Sequence, residues 1–221
     1  MRAGIFGGTF NPIHNGHLMV ARQVLQRFSL DRLYIVPCRR PPHKPEASLA
    51  PVVHRLEMIR MALPADARYD ISDVELQRRG PSYTIDTARH FASRMDAGDA
   101  LFLVMGLDAF LELHTWKSQR RLLETVQPVV VTRTVDTEGP ETAQHRMQAY
   151  IRSHLAGTYV YVARHRCWQP AAAGQAIHLL ATDPVDVSSS QIRRRVKAGK
   201  NIAALVPTAV CAYIEQKGIY R

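Results

Sequence analysis

The sequence predicts an α/β fold, a Rossmann-like doubly wound parallel sheet that takes residues 1–221 as a single domain. Three observations carry that prediction. Short apolar runs of strand length recur at 4–6, 33–36, 68–71, 101–105, 129–132 and 177–181. Helical patterns at 16–28, 52–62, 84–94, 116–126 and 141–154 separate most of them. A Gly-Gly turn also follows the first run at once, where such folds gather ligands at the carboxyl ends of their strands.

The first strand, Gly4-Ile5-Phe6, runs into Gly7-Gly8-Thr9-Phe10-Asn11-Pro12-Ile13-His14-Asn15-Gly16-His17. Glycines let the backbone come close to an anion, and Thr9 and Asn11 add polar side chains. His14 and His17 stand one helical turn apart. The helix that follows repeats apolar residues at Leu18, Val20, Ala21, Val24, Leu25 and Phe28, which puts both histidines near its anion-attracting N-terminus. The run lacks the spacing of the dinucleotide fingerprint and the Gly-Lys-Ser/Thr ending of a P-loop, so it reads as a third kind of phosphate cradle.

After the second strand comes a proline-rich, linker-like stretch, 40–50, read either as a mobile loop that places Lys44 or as a plain surface loop. Beyond helix 52–62 and strand 68–71, Pro81-Ser82-Tyr83-Thr84 opens helix 84–94 with its first N–H groups available as donors. Strand 101–105 exits into Gly106-Leu107-Asp108. There Asp108 is either a ligand-binding residue or the N-cap of a short helix, 109–113. Helix 116–126 begins at Trp116, and strand 129–132 leads to Arg133. Residues 136–174, with linker-like ends at 136–140 and 169–174, are long, basic and without assignable chemistry; they read as an interface or an insertion. The last predicted helix, 190–197, rests on Ile192 and Val196 one turn apart and on Gly199 as its stop.

Composition narrows the function classes. With 46% hydrophobic residues, 221 residues can bury one good-sized core. No apolar run approaches the ~18 residues of a membrane span, and the N-terminus enters a strand without a signal-peptide pattern. A soluble, cytoplasmic protein without a membrane partner is expected. Cys38, Cys167 and Cys211 have no metal-ligand spacing and read as reduced thiols. Against 19 acidic residues stand 29 lysines and arginines, a formal +10. The excess is scattered as Arg39-Arg40, Arg78-Arg79, Arg120-Arg121 and Arg193-Arg194-Arg195. Anionic substrates and a solvated basic surface explain it without a nucleic-acid partner, since no recognised binding module is present. Homo-oligomer formation stays open.

The stretch from Gly7 to His17, with its His14-Asn15-Gly16-His17 core, resembles the signature of the nucleotidyltransferase superfamily. Ser188-Ser189-Ser190-Gln191-Ile192-Arg193 resembles its second element, with serine in place of threonine. Pro41-Pro42-His43-Lys44, Pro81-Ser82-Tyr83-Thr84, Gly106-Leu107-Asp108 and Trp116 fall where the bacterial nicotinate-nucleotide adenylyltransferase family has similar motifs, so the resemblance covers nearly the whole chain. It departs at Asn11, where many members carry Asp, and after Arg133, where Thr134-Val135 replace Pro-Gly.

The resemblance implies transfer of the adenylyl group of ATP to nicotinate mononucleotide, giving nicotinate adenine dinucleotide and pyrophosphate, with Mg²⁺ held mainly by the phosphates of ATP. It implies catalytic roles for His14, His17, Lys44 and Arg193. ATP binding falls to Gly7, Gly8, Thr9, Phe10, Gly106, Ser189 and Ser190, and acceptor binding to Tyr83, Thr84, Asp108, Trp116 and Arg133. The chemistry is consistent with these residue types. An acceptor phosphate with a second pKa near ~6 is already an anionic nucleophile at neutral pH, so no general base is needed. What the reaction needs is in-line positioning and charge stabilisation. Two other readings remain at this point: a relative acting on another acceptor, such as phosphopantetheine, and a basic nucleic-acid-binding protein that keeps the fold without catalysis.

Overall fold

A computed structural model describes residues 1–40, 49–133, 140–155, 159–172, 174–183 and 186–221, with the backbone alone at 133, 140 and 141. Lys44 therefore lies outside the described residues, as does most of the predicted linker 40–50. Eight strands build one sheet among the described residues: β1 (Arg2–Gly8), β2 (Arg32–Pro37), β3 (Tyr69–Ile71), β4 (Ala100–Gly106), β5 (Gln127–Arg133), β6 (Tyr159–Val162), β7 (Cys167–Pro170) and β8 (Ile177–Thr182). Their order is β3-β2-β1-β4-β5-β8-β7-β6. The first six in that order are parallel. β7 and β6 continue the sheet antiparallel. The chain leaves β1 to build β2 and β3 on one side, then returns to build β4 on the other. Strand order reverses between β1 and β4, and a crevice opens above their carboxyl ends.

Nine α-helices among the described residues accompany the strands: α1 (Asn15–Arg27), α2 (Val52–Ala62), α3 (Val74–Gln77), α4 (Thr84–Ala92), α5 (Leu107–Leu111), α6 (Gln119–Thr125), α7 (Pro140–His154), α8 (Ser189–Lys197) and α9 (Thr208–Lys217). β4 shows why parallel strands read as unbroken apolar runs. Leu101, Leu103 and Met105 join one core layer with Ile85 of α4, Phe110 of α5, Leu122 of α6 and Met147 of α7. Phe102 and Val104 join the other with Val24 of α1, Met58 of α2, Ile192 of α8 and Val210 of α9. Each fully buried side chain of this size is worth roughly 1.5–3 kcal/mol.

All six predicted strands and all six predicted helices are present, α2 at its predicted bounds and the others with shifted ends. The largest shift is at α6, which starts at Gln119 instead of Trp116. Trp116 is extended (φ −80°, ψ 144°) after a 3-10 turn at Leu113–Thr115, and Ser118 takes left-handed geometry (φ 53°) before the helix begins. The stretch 169–174 is no plain linker, because its first two residues end β7. Trp168, fully buried on that strand, anchors the antiparallel extension, so β6 and β7 belong to the sheet, and Met147 and Tyr150 of α7 to its core. The sequence reading places no element at α3 or α9, and it offers the short helix at α5 only as the alternative role of Asp108, two residues late at 109–113. α3 is a single turn too short to show a period, and α9 shows only Val210 and Ile214 one turn apart.

Candidate active site

Two cavities flank the crevice and share Phe6, Val104, Met105 and Gly106 as a common wall. The larger, about 310 Å³, runs from Gly7, Gly8 and Thr9 to Tyr83, Thr84 and Trp116. The smaller, about 200 Å³, is lined by His14, His17, Asp183 and Val187. The turn after β1 thus stands between two compartments.

His14 is the N-cap of α1, in extended geometry, and its backbone N–H donates to Nδ1 of His17 at 3.2 Å. An Nδ1 that accepts leaves the proton of a neutral imidazole on Nε2, so His17 is set as an Nε2–H donor. The two rings stack with centroids 3.7 Å apart, and His14 is 2% exposed. Gly16 between them is required by close approach, since a Cβ there would lie 3.0 Å from Val187 and 3.2 Å from His14 Nδ1. Phe10, buried with φ 45°, turns the chain and packs edge-on against Phe6 and His17. Its ring lies 3.1 Å from where a Cβ on Gly8 would stand, so a side chain at Gly8 would press on the ring.

The start of α8 closes the crevice from the other side. Ser188 caps it, accepting from the backbone N–H of Gln191 at 3.1 Å. Ser189 Oγ donates to the carbonyl of Pro12 at 2.9 Å. Arg193 donates through Nη1 to the carbonyl of Asn11 at 2.9 Å and through Nη2 to Ser190 Oγ at 3.2 Å. With its hydroxyl hydrogen engaged by Pro12, Ser189 offers an anion its backbone N–H at the head of the helix. Asn11, 1% exposed, accepts on Oδ1 from the backbone N–H of Ala50 at 2.9 Å and from Tyr220 Oη at 2.8 Å.

On the far wall, Tyr83 is the N-cap of α4, and the first intrahelical bond is made by the N–H of Asp86; the N–H groups of Thr84 and Ile85 precede it. Lys117 sits 4.5 Å over the Tyr83 ring and donates to Asp86 at 3.1 Å, fastening the turn that carries Trp116 to α4. Trp116 is half-buried on the cavity wall. Beneath α4, buried Glu75 accepts from Thr87 Oγ1 at 2.7 Å, and Thr87 in turn accepts from Arg78 at 2.8 Å. Burial pushes the Cys38 thiol up to about 11, so this cavity-wall cysteine stays protonated at neutral pH.

The structure therefore brings Gly7, Gly8, Thr9, Phe10, His14, His17, Tyr83, Thr84, Gly106, Trp116, Ser189, Ser190 and Arg193 around one crevice. Asp108 is different. It lies in the first turn of α5, one residue past its start at Leu107; its side chain is 96% exposed and 4.0 Å from Arg146, outside the walls of both cavities. The backbone of Arg133 ends β5 at the same edge of the sheet.

Sequence reasoning missed Arg55, Glu75, Lys117, Asp183 and Tyr220. A signal existed for Arg55: on α2 it occupies the same face as Met58, Ile59 and Ala62, a charge set into a buried stripe. Glu75, Asp183 and Tyr220 carry no such pattern, because only folding brings them to the crevice.

The cytidylyltransferase-like family matches residues 5–195. The chain is 39% identical over 220 residues, covering 100% of both chains, to a probable nicotinate-nucleotide adenylyltransferase of Desulfatibacillum aliphaticivorans. It is 39% identical over 221 residues, again 100% of both, to the probable enzyme of that name from Thermus thermophilus. Its fold is similar to that of Plasmodium falciparum nicotinic acid mononucleotide adenylyltransferase complexed with NaAD, with TM-score 0.70 and 15% identity over 99% of this chain and 97% of that one.

Proposed function

This chain belongs to the cytidylyltransferase-like family, and from that premise we propose that it is a nicotinate-nucleotide adenylyltransferase of NAD biosynthesis. It transfers the adenylyl group of ATP to nicotinate mononucleotide. An oxygen of the acceptor phosphate attacks the α-phosphorus of ATP, the bond from that phosphorus to the bridging oxygen breaks, and pyrophosphate leaves with the electron pair. The observation that carries this reading is the His14–His17 pair at the head of α1, lining the smaller cavity, which shares its Phe6, Val104, Met105 and Gly106 wall with the larger. One cavity takes the mononucleotide and the other the adenylyl donor, so the phosphates react at the shared wall.

Each residue then has a role its geometry supports. His17 donates from Nε2 to a phosphate oxygen, and the stacked His14 ring holds it there. The N–H groups at the start of α8, with Arg193, take the triphosphate. Trp116 offers an indole face to the pyridinium ring, a cation, and the head of α4 offers Thr84 and Ile85 N–H groups to the ring carboxylate. Lys44 and Arg133 remain assigned by resemblance, to triphosphate and acceptor phosphate. Asp108, on the rim, reaches a bound nucleotide's sugar hydroxyls from solvent.

Mg²⁺ accompanies the triphosphate in this proposal, held by phosphate oxygens and water, the ligands this small hard cation prefers. The site fits that arrangement. Among the described residues, the wall beside the histidines carries one carboxylate, Asp183, already bound to Gln23 Nε2 at 2.7 Å. The ion supplies charge neutralisation to the departing pyrophosphate. No helix among the described residues is long and apolar enough to cross a membrane, and we place the reaction in the cytoplasm.

The test is pyrophosphate release from ATP against a panel of acceptor phosphates. Release with nicotinate mononucleotide and not with phosphopantetheine supports the proposal. Release with phosphopantetheine alone overturns it, and so does salt-sensitive binding of random oligonucleotides without any release.

A further inference from the structure

We infer that Arg55 is a positioning residue for adenylyl transfer, holding the cradle of residues 7–11 in register from beneath. Its side chain is 1% exposed. From Nη1 it donates to the carbonyls of Thr9 at 2.7 Å and Cys38 at 2.9 Å, and from Nε to that of Ala50 at 3.0 Å. These carbonyls come from three separate pieces of chain: the turn after β1, the residue after β2, and the approach to α2. Thr9 and Cys38 both line the larger cavity, so one planar guanidinium sets the spacing of two strand exits that form its floor.

The same atoms close a ring. Ala50, whose carbonyl binds Arg55, gives its N–H to Oδ1 of Asn11, two residues beyond Thr9 in the cradle. Thr9, Arg55, Ala50 and Asn11 thus fix one another, and Asn11 passes the constraint to Tyr220 and Arg193. An arginine here carries a cost that packing alone does not require, because burying a guanidinium is expensive and an apolar residue would fill the space. The fork is what an apolar side chain lacks. A lysine lacks it too, since its ammonium is a point charge and cannot hold three in-plane acceptors at fixed separation. The charge also lies under a turn proposed to receive phosphate, where a cation with no carboxylate partner among the described residues adds to the attraction.

The inference rests on the adenylyl-transfer reading, so turnover and ATP affinity are measured side by side. Arg55→Lys keeps the charge and loses the fork. It is expected to lower kcat by ~10–100-fold, the scale of a ~1 Å misplacement, and to raise the Kd for ATP several-fold with a smaller change in the acceptor KM. Met58→Ala is the control: on the same helix, fully buried and apolar, it loses core packing without removing a hydrogen bond to the cradle. It is expected to lower Tm by as much or more while keeping kcat and Kd near those of the unaltered protein. Arg55→Lys with unchanged kcat and Kd overturns the inference, as does Met58→Ala losing activity in step with it. Should the lysine variant not fold, Arg55→Gln carries the same two readouts. Should the unaltered protein bind ATP and transfer nothing, the transfer reading falls and the ATP Kd alone decides the role of Arg55 in the cradle.

Discussion

Arg193 donates to the backbone carbonyl of Asn11 at 2.9 Å, joining positions 182 residues apart into one surface. The bond sets where the guanidinium can be: Nη1 is committed to the cradle, Nη2 to Ser190, and the charge is held at the mouth of the crevice. Arginine serves both ends of such a contact because it has five donors. A carbonyl and a hydroxyl therefore still leave donors for phosphate.

Replacing Arg193 by Ala should weaken ATP use more than mononucleotide use. Losing a charge-assisted bond of ~1.5–3 kcal/mol also loosens α8 from the cradle, so kcat/KM for ATP should fall by roughly 10–100-fold. Steady-state kinetics with each substrate varied in turn checks it. Equal losses for the two substrates would make Arg193 a general structural link.

The parallel core and the phosphate cradle were legible in the sequence for a physical reason. β1, β2, β4, β5 and β8 are buried on both faces, so they are written as short apolar runs, and the cradle is contiguous from Gly7 to His17. The site's far wall was legible in part, because Tyr83-Thr84 and Trp116 begin or precede helices. What was not legible is what depends on distance in sequence. Arg55 with Cys38, Tyr220 with Asn11, and Lys117 with Tyr83 become neighbours only after the sheet has formed. The antiparallel strands β6 and β7 escaped because four-residue strands flanking a turn give period two no room to show.

His14→Ala and His17→Ala should each lower kcat by ~10²–10³, the scale for losing one preorganised donor. For His17 the loss has two parts, because its Nδ1 also accepts the His14 backbone N–H. A folded variant at full activity, judged by an unshifted Tm, would remove that histidine from the mechanism.

Acid stability should depend on His178, far from the chemistry. Burial, with Arg2, Arg27 and His165 nearby, lowers its pKa from 6.5 to about 4. Between those values the unfolded chain binds more protons than the folded one, so stability falls as pH drops from 6.5 to 4 and is unaffected by this group outside that window. His178→Gln, which can still pair with Gln127, should flatten that part of a Tm-against-pH curve. Parallel curves for the two proteins would refute the assignment.

The acid and amide forms of the acceptor differ only at the ring substituent, so the choice between them must be made where that substituent lies. The cavity offers it the head of α4, where the N–H groups of Thr84 and Ile85 precede the first intrahelical bond and the helix dipole is positive. Lys117, over Tyr83, adds a cation to the same wall. A carboxylate accepts from all of these, whereas a carboxamide presents N–H donors of its own to some of them. Charge-assisted bonds are roughly twice as strong as neutral ones. Two mismatched contacts, at ~1.4 kcal/mol per tenfold, should then give at least a ~10–100-fold preference for nicotinate over nicotinamide mononucleotide in kcat/KM. In the proposed pose Trp116 would stack on either ring alike, so Trp116→Ala should weaken both acceptors and leave the ratio largely intact. Lys117→Ala should instead reduce the ratio, because a neutral side chain no longer favours the anion. Measuring kcat/KM for both acceptors in the three proteins decides it: near-equal values in the unaltered protein would make this a dual-specificity enzyme and sink the proposed role of the α4 head.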